Sequence, residues 1–208
     1  MTALTIYGFP QSTYVRTALM ACEEKGVAYT LEATDARSEN YRALHPFGKV
    51  PALRHDNLVL YETEAIIRYI DEAFPGPALQ PATPAERGRM TQWLSAINCY
   101  VYPTAIGKIV LERFAPQIFK RATDEATVKS AEPELALQLG VLDGALTRAP
   151  WLAGASMSLA DLLLAPIVFY LGMVPEGQKV LPECKALGRW NETIAARASY
   201  KATVPKLG

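Results

Sequence analysis

The chain has 208 residues, half of them hydrophobic and a fifth charged, with 21 lysines plus arginines balanced by 21 aspartates plus glutamates. That is enough chain for one large or two small domains with a real core. The zero formal charge argues against a nucleic acid or an anionic membrane as the main partner. No run approaches the roughly 18–20 consecutive apolar residues of a membrane helix, and Met1-Thr2-Ala3-Leu4 lacks the basic and apolar regions of a signal peptide. Cys22, Cys99 and Cys184 form no CxxC pair, which fits buried thiols in a reducing compartment. Two histidines and no ligand-spaced cluster give metal catalysis no support. The expectation is a cytoplasmic enzyme or binding module with no metal and no prosthetic group.

In chain order, Leu4-Thr5-Ile6-Tyr7 reads as a buried strand closed by Gly8-Phe9-Pro10. From Thr13 to Lys25, Val15, Ala18, Leu19 and Cys22 fall at helical spacing, and Gly26 supplies a C-cap. Val27 to Ala33 predicts a second strand, hence a right-handed parallel βαβ unit. Ser38 to Leu44 predicts a short polar helix. Pro51-Ala52-Leu53-Arg54-His55 and Leu58-Val59-Leu60-Tyr61 flank Asp56-Asn57 and predict a hairpin. A helix then starts at Thr63 with Ile66, Ile67 and Ile70 inward. The order β-α-β-α-β-β-α is the thioredoxin-like arrangement.

Between Phe74 and Pro84 four prolines exclude a continuous helix and mark a linker. Everything after Ala85 is helical in pattern. Arg87 to Phe114 predicts one long helix kinked at Pro103, Glu134 to Arg148 a second, and Ser158 to Leu171 a central helix apolar nearly all round. Leu187 to Arg197 predicts a last amphipathic helix. The expected division is therefore 1–78, an α+β thioredoxin-like domain; 79–84, a linker; and 85–208, an all-α helical-bundle domain.

The chemistry concentrates in three segments. Ser12 and Thr13 stand at the entrance of the first helix, where either hydroxyl serves as a cap. His45-Pro46-Phe47-Gly48-Lys49-Val50-Pro51 places a proline at the first residue of a strand, which leaves the adjacent edge open. A cis Val50–Pro51 bond is expected in this arrangement. It would turn the Val50 backbone groups outward to pair with an extended peptide. Tyr61-Glu62-Thr63-Glu64 sets one acid and one hydroxyl at a helix start. Glu62 suits an ammonium, and Thr63 with the free helix amides suits a carboxylate.

These segments resemble the glutathione transferase family over essentially the whole chain, in particular its serine-type, phi-like group. Gly8-Phe9-Pro10-Gln11-Ser12 is similar to that group's strand–turn–serine segment. His45-Pro46-Phe47-Gly48-Lys49-Val50-Pro51 is similar to Asn-Pro-Phe-Gly-(Lys/Gln)-(Val/Ile)-Pro, and Glu62-Thr63-Glu64-Ala65-Ile66 to Glu-Ser-Arg-Ala-Ile. Trp93 to Pro103 resembles the family's first long C-terminal helix, and Ser158-Leu159-Ala160-Asp161 its N-terminal capping box. His45 and Glu64 depart from the pattern, and the family's histidine–lysine pair aligns near Ala36 and Arg37.

The resemblance implies a transferase that conjugates reduced glutathione, as co-substrate, to hydrophobic electrophiles in cytoplasmic detoxification, and a homodimer. It implies Ser12 as the catalytic residue, with Thr13 the alternative. Lys49, Val50, Pro51 and Arg37 are assigned to the glycine and cysteinyl parts of glutathione, and Glu62 and Thr63 to the γ-glutamyl part. The hydrophobic substrate is expected near Phe9, Gln11, Tyr100, Tyr102 and Ile106, with Trp93 as plain core. Ser158 and Asp161 are expected to be structural. No cysteine stands at the serine position, so mixed-disulfide chemistry lacks its nucleophile. Tyrosine-type members place their tyrosine two residues before the proline, where this chain has Gly8; Tyr7, one residue further back, points by strand parity to the opposite face and is not expected to be catalytic. A glutathione-dependent peroxidase or isomerase, and a non-catalytic module on the same scaffold, are the alternatives.

Overall fold

A computed structural model describes residues 4–206. Met1 to Ala3, part of the segment considered above for a leader, lie outside the described residues. Contacts divide the chain into two units, Met1–Gln80 with Ala195–Gly208, and Pro81–Ile194. The first break falls inside the expected linker. The last residues, assigned from sequence to the helical domain, group instead with the first unit.

In the first unit, strands β1 (Leu4–Tyr7), β2 (Tyr29–Glu32), β3 (Ala52–His55) and β4 (Leu58–Tyr61) lie in the order β2-β1-β3-β4. β1 and β2 are parallel, and β3 is antiparallel to both β1 and β4. The crossover between β1 and β2 is helix α1 (Thr13–Lys25), closed by Gly26 at φ 65°. A left-handed C-cap of this kind suits glycine. Asp56, at φ 54°, makes the two-residue turn that pairs His55 with Leu58. Short helix α2 (Glu39–Arg42) and helix α3 (Thr63–Ala73) complete the expected order. Ile66, Ile67 and Ile70 of α3 are buried along with Leu4, Ile6, Val15, Leu19 and Leu53.

The proline-rich stretch after α3 is anchored rather than loose. Asp71 accepts from Lys25 Nζ at 3.0 Å, from the Leu79 N–H at 2.8 Å and from Gln80 Nε2 at 3.2 Å. Lys25 also donates to the carbonyls of Gly76 and Pro77. Both charged side chains are almost wholly buried. A buried ion pair is tolerable only when its remaining bonding capacity is filled in this way.

In the second unit, helix α4 runs without interruption over Pro84–Arg113. It is α-helical over Pro84–Ala96 and widens to π geometry over Ile97–Val101 and Pro103–Val110. Pro103 has no N–H to give. The helix absorbs it by these wide turns, in which the Tyr102 N–H reaches the Ile97 carbonyl. By length and composition α4 is long and apolar enough to cross a membrane. Its buried residues, including Met90, Leu94, Ile97, Ile106 and Ile109, are core of this unit.

A short turn α5 (Ala115–Ile118) leads to α6 (Glu125–Arg148). The latter starts well before the predicted Glu134, passing through Pro133, because Asp124 caps it with bonds to the Ala126 and Thr127 N–H groups. Helix α7 (Leu159–Leu171) is buried on nearly every side. α8 (Pro175–Val180) and α9 (Lys185–Ala195) follow. The predicted last helix ends at Ala195, and the separate α10 (Ala198–Ala202) belongs to the first unit. Cys22 and Cys184 are buried free thiols, with burial pushing Cys22 up to about 12. Cys99 is exposed, contrary to the expectation for all three.

Ser158 and Asp161 form the expected reciprocal capping box. The structure adds more. The fully buried Asp161 carboxylate accepts from the Ser158 N–H and hydroxyl, both at 2.9 Å, from the Leu152 N–H at 3.0 Å and from Trp190 Nε1 at 2.9 Å. One carboxylate thus joins the loop before α7 to α9. Asp161→Ala removes more than a cap. Two donors outside the box lose their acceptor at ~1–3 kcal/mol each, so the stability loss in urea denaturation should be about 3 kcal/mol or more. A loss below about 1 kcal/mol would reduce Asp161 to an ordinary cap.

Candidate active site

The strand register determines which loops meet. Tyr7 pairs with Ala52, and Ala52 with Tyr61. The residues that follow Tyr7, precede Ala52 and follow Tyr61 therefore emerge at one end of the sheet. These are Gly8, Pro51 and Glu62, and each opens one of the three segments singled out in the sequence.

After β1, the Gly8 N–H donates to the Glu32 carbonyl at 2.9 Å. A Cβ at Gly8 would lie 2.5 Å from Val15 Cγ2 and 3.4 Å from Val50 Cβ, at φ 155°. Only glycine lets helix α1 and the Val50 segment close on the strand end. The chain then turns through Pro10, with the Ser12 N–H donating to the Phe9 carbonyl at 3.1 Å. Ser12 is the N-cap of α1, its Oγ accepting from the Val15 N–H at 3.4 Å. Capping uses a lone pair and leaves the hydroxyl hydrogen available for donation, so the two roles are compatible. Ser12 is half-buried, whereas Thr13 is 6% exposed.

The Val50–Pro51 bond is cis. β3 is an interior strand, with β1 on one side and β4 on the other. The open backbone expected from Pro51 is thus not a strand edge. It is the Lys49–Val50 segment beyond the end of the ladder. That segment is tied down by the Tyr41 hydroxyl, which donates to the Lys49 carbonyl at 2.6 Å. Tyr41 is buried with Tyr7 and Ala52, against which Ala36, Leu44 and Val50 pack. Burial pushes the Tyr41 phenol up to about 12, which keeps it a donor. Gly48, at φ 59°, lies so close to the Ala36 carbonyl that a Cβ would sit 2.9 Å from it. Exposed Arg37 and Lys49 therefore flank one loop contact. Tyr41 escaped the sequence analysis, because nothing in a short polar helix marks one tyrosine as a loop anchor.

At the end of β4, Glu62 has φ 70° and ψ 118°. Such a backbone is unusual for a side-chain-bearing residue, costs on the order of 1–3 kcal/mol and concentrates at ligand clamps. Glu62 is the N-cap of α3, and its side chain makes no cap bond. Thr63 is the first helical residue and is 7% exposed. The first-turn N–H groups of α3, which a helix leaves without internal acceptors, are thus not covered by the Glu62 carboxylate. An exposed acid beside a positive helix end can receive a zwitterion.

Phe9 is 44% exposed and Gln11 is exposed, both in the first unit beside Ser12. Of the expected acceptor residues in the second unit, Tyr100 is 65% exposed, Tyr102 is half-buried and Ile106 is buried, Tyr100 and Ile106 in the two π-helical stretches of α4 and Tyr102 between them. Trp93 is buried as expected.

His45, which departs from the family pattern, carries a buried imidazole. It is 2% exposed and enclosed by the rings of Tyr61 at 5.0 Å and of Tyr41 and Phe47 at 6.3 Å each. Its Nδ1 has no hydrogen-bond partner among the described residues. Burial holds its pKa below the usual histidine value, opposed by Glu62 and reinforced by Lys49. The unfolded chain takes up a proton near pH ~6.5 while the folded one resists it. Stability contributed by neutral His45 is therefore full above that pH and lost as pH falls toward the folded pKa. The drop in melting temperature between pH 7.5 and 5.5 should shrink in His45→Asn; an equal drop in both proteins would contradict it.

Comparison with known proteins bears on this geometry. Residues 6–78 match the family model "Glutathione S-transferase, N-terminal domain", and residues 100–198 match "Glutathione S-transferase, C-terminal domain". Glutathione S-transferase F10 of Arabidopsis thaliana is 33% identical over 211 residues, covering 98% of this chain and 97% of its own. The apo structure of glutathione S-transferase III superposes with a TM-score of 0.89 at 30% identity, over 99% of this chain and 100% of that one. The theta-class glutathione S-transferase of Xanthomonas axonopodis pv. citri, solved with glutathione bound, gives 0.83 at 30% identity, over 100% and 99%. Near-complete coverage at this identity, on a thioredoxin-like unit followed by a helical one, makes the chain a member of the glutathione S-transferase family.

Proposed function

We propose that this enzyme conjugates reduced glutathione to hydrophobic electrophiles through a thiolate stabilised by Ser12 at the N-terminus of α1. The observation that carries the proposal is the register that brings Ser12, the Val50–Pro51 segment and the Glu62–Thr63 helix start to one end of the sheet. An extended tripeptide fits that row. Its cysteinyl backbone pairs with Val50 ahead of Pro51. Its γ-glutamyl ammonium meets Glu62 and its carboxylate meets Thr63 and the α3 amides. Lys49 and Arg37 take the glycine end. The theta-class relative solved with glutathione bound supports glutathione as the ligand.

The energetics suffice without a general base. A free thiol has a pKa near ~8.5, and lowering it by about two units corresponds to roughly 2.7 kcal/mol. One charge-assisted bond from the Ser12 hydroxyl supplies ~1.5–3 kcal/mol, and a helix terminus ~0.3–1 kcal/mol. The serine donates to the thiolate and does not deprotonate it. Thr13 is the weaker candidate because its side chain is buried in the first turn of α1. Phe9 and Gln11, next to Ser12 and exposed, are proposed to meet the electrophile. A homodimer working in cytoplasmic detoxification, as in the family, completes the proposal.

Ser12→Ala should retain glutathione binding within about threefold and lose at least tenfold in turnover with a generic aryl halide, since one bond to a charged group is worth ~1.5–3 kcal/mol. Full turnover in this variant would move the role to Thr13 or to backbone amides.

A further inference from the structure

The C-terminal segment of the first unit is fastened at three points along α1 and the turn that precedes it. At its far end, Glu24 accepts from Arg197 Nε at 2.6 Å and Nη2 at 2.5 Å, and from the Ser199 hydroxyl. Burial would raise the Glu24 pKa, but these bonds outweigh it and hold the carboxylate below its usual range. In the middle, Arg16 Nη2 donates to the Tyr200 carbonyl at 3.2 Å, and its guanidinium lies over the Tyr200 ring at 4.2 Å. At the near end, Gln11 Nε2 donates to the Lys206 carbonyl at 3.2 Å. Residues 197–206 thus run antiparallel to α1, ending beside the residue that precedes Ser12.

Arg16 is the unusual member. It is fully buried, a costly place for a permanent cation. It follows Ser12 by one helical turn, about 6 Å along the axis. The Arg16 N–H donates to the Ser12 carbonyl at 2.9 Å, so the two residues close the first turn of α1 together. Stacking on Tyr200 and the bond to its carbonyl hold the planar guanidinium in one orientation, which a lysine cannot reproduce.

We propose that Arg16 is a positioning residue for the sulfur site: locked under the C-terminal strap, it fixes the first turn of α1 and places a buried positive charge behind the thiolate held at Ser12. This rests on the role of Ser12 proposed above. In a low-dielectric interior a fixed cation at this range favours an anion at the helix start, and salt screens it little. Arg16 touches neither the thiol nor the electrophile. Its effect is transmitted through the helix and its field.

The test is an ultraviolet titration of the thiolate in the complex with reduced glutathione, together with kcat and glutathione KM, for the parent, Arg16→Met and Arg16→Lys. In Arg16→Met the thiolate titration should move up by about one pH unit and kcat at neutral pH should fall about tenfold. Glutathione KM should change less than about threefold, because the peptide's other contacts are untouched. Arg16→Lys should recover part of the shift, having the charge without the planar fork. A methionine variant that titrates at the parent's pH, however much less heat-stable, overturns the proposal. If Arg16→Met does not fold, Tyr200→Leu removes the ring but keeps the carbonyl and should shift the titration the same way by a smaller amount; no shift there also overturns it. A parent that binds glutathione but shows no bound thiolate at neutral pH refutes the Ser12 role itself, an outcome distinct from a parent with thiolate and an indifferent Arg16.

Discussion

Everything at the candidate site depends on the pairing of Tyr7 with Ala52 and of Ala52 with Tyr61 across the middle of the sheet. Because strand side chains alternate with period two, a slip of one residue would turn Leu53 out of the core and separate the three loops. The two-residue turn at Asp56-Asn57 fixes the register on one side, and burial of Ile6 and Leu53 fixes it on the other. The ladder then ends at the same level on three strands. Gly8, without a side chain, lets α1 and Val50 close over that end. The site is less a pocket carved in the fold than the consequence of where three strands stop.

The polar groups buried around this frame fall into two kinds. Lys25 with Asp71, Asp161 with its four donors, and Glu24 with Arg197 and Ser199 are all matched, and each joins segments distant in sequence. Their work is architectural: they hold the proline-rich stretch, the loop before α7 and the C-terminal strap. His45 is different, since its Nδ1 lies buried among three aromatic rings without a hydrogen bond among the described residues. It stands in the loop between α2 and β3 that carries Lys49 and Val50, and Tyr41 fixes the same loop by its carbonyl. Strain at Glu62 and the buried Nδ1 of His45, without a partner among the described residues, mark this end of the sheet as the place where the fold departs from local optima.

Much of this was legible in the residues. The helical spacing from Val15 to Cys22 with Gly26 behind it, the Asp56-Asn57 turn and the Ser158–Asp161 box each carry a local physical signal, and each element lies where the signal puts it. Fold and family followed from their order. What stayed hidden depends on contacts remote in sequence. Pro133 looks like a helix boundary, yet the cap at Asp124 carries α6 through it. Pro103 opens a second π-helical stretch just after a first one, a widening that its spacing alone does not announce. Helix α3 starts at Thr63 as its spacing predicts, but the positive φ of its cap Glu62 is not announced by composition. Pro51 reads as the mark of an open edge, and only the strand order shows that β3 is interior. The return of the C-terminal residues to α1 has no signature at all, because Arg16, Glu24 and Tyr200 are ordinary until they are seen together.

The central claim is that one end of this sheet receives a reduced γ-glutamyl tripeptide in extended form. Isothermal titration calorimetry of the purified chain with reduced glutathione measures this directly. Saturable heat with a dissociation constant at or below the millimolar range is the predicted result, weakened at least tenfold by Glu62→Ala, since a bond to a charged group is worth ~1.5–3 kcal/mol. Absence of any saturable heat at millimolar glutathione in the folded parent would contradict it.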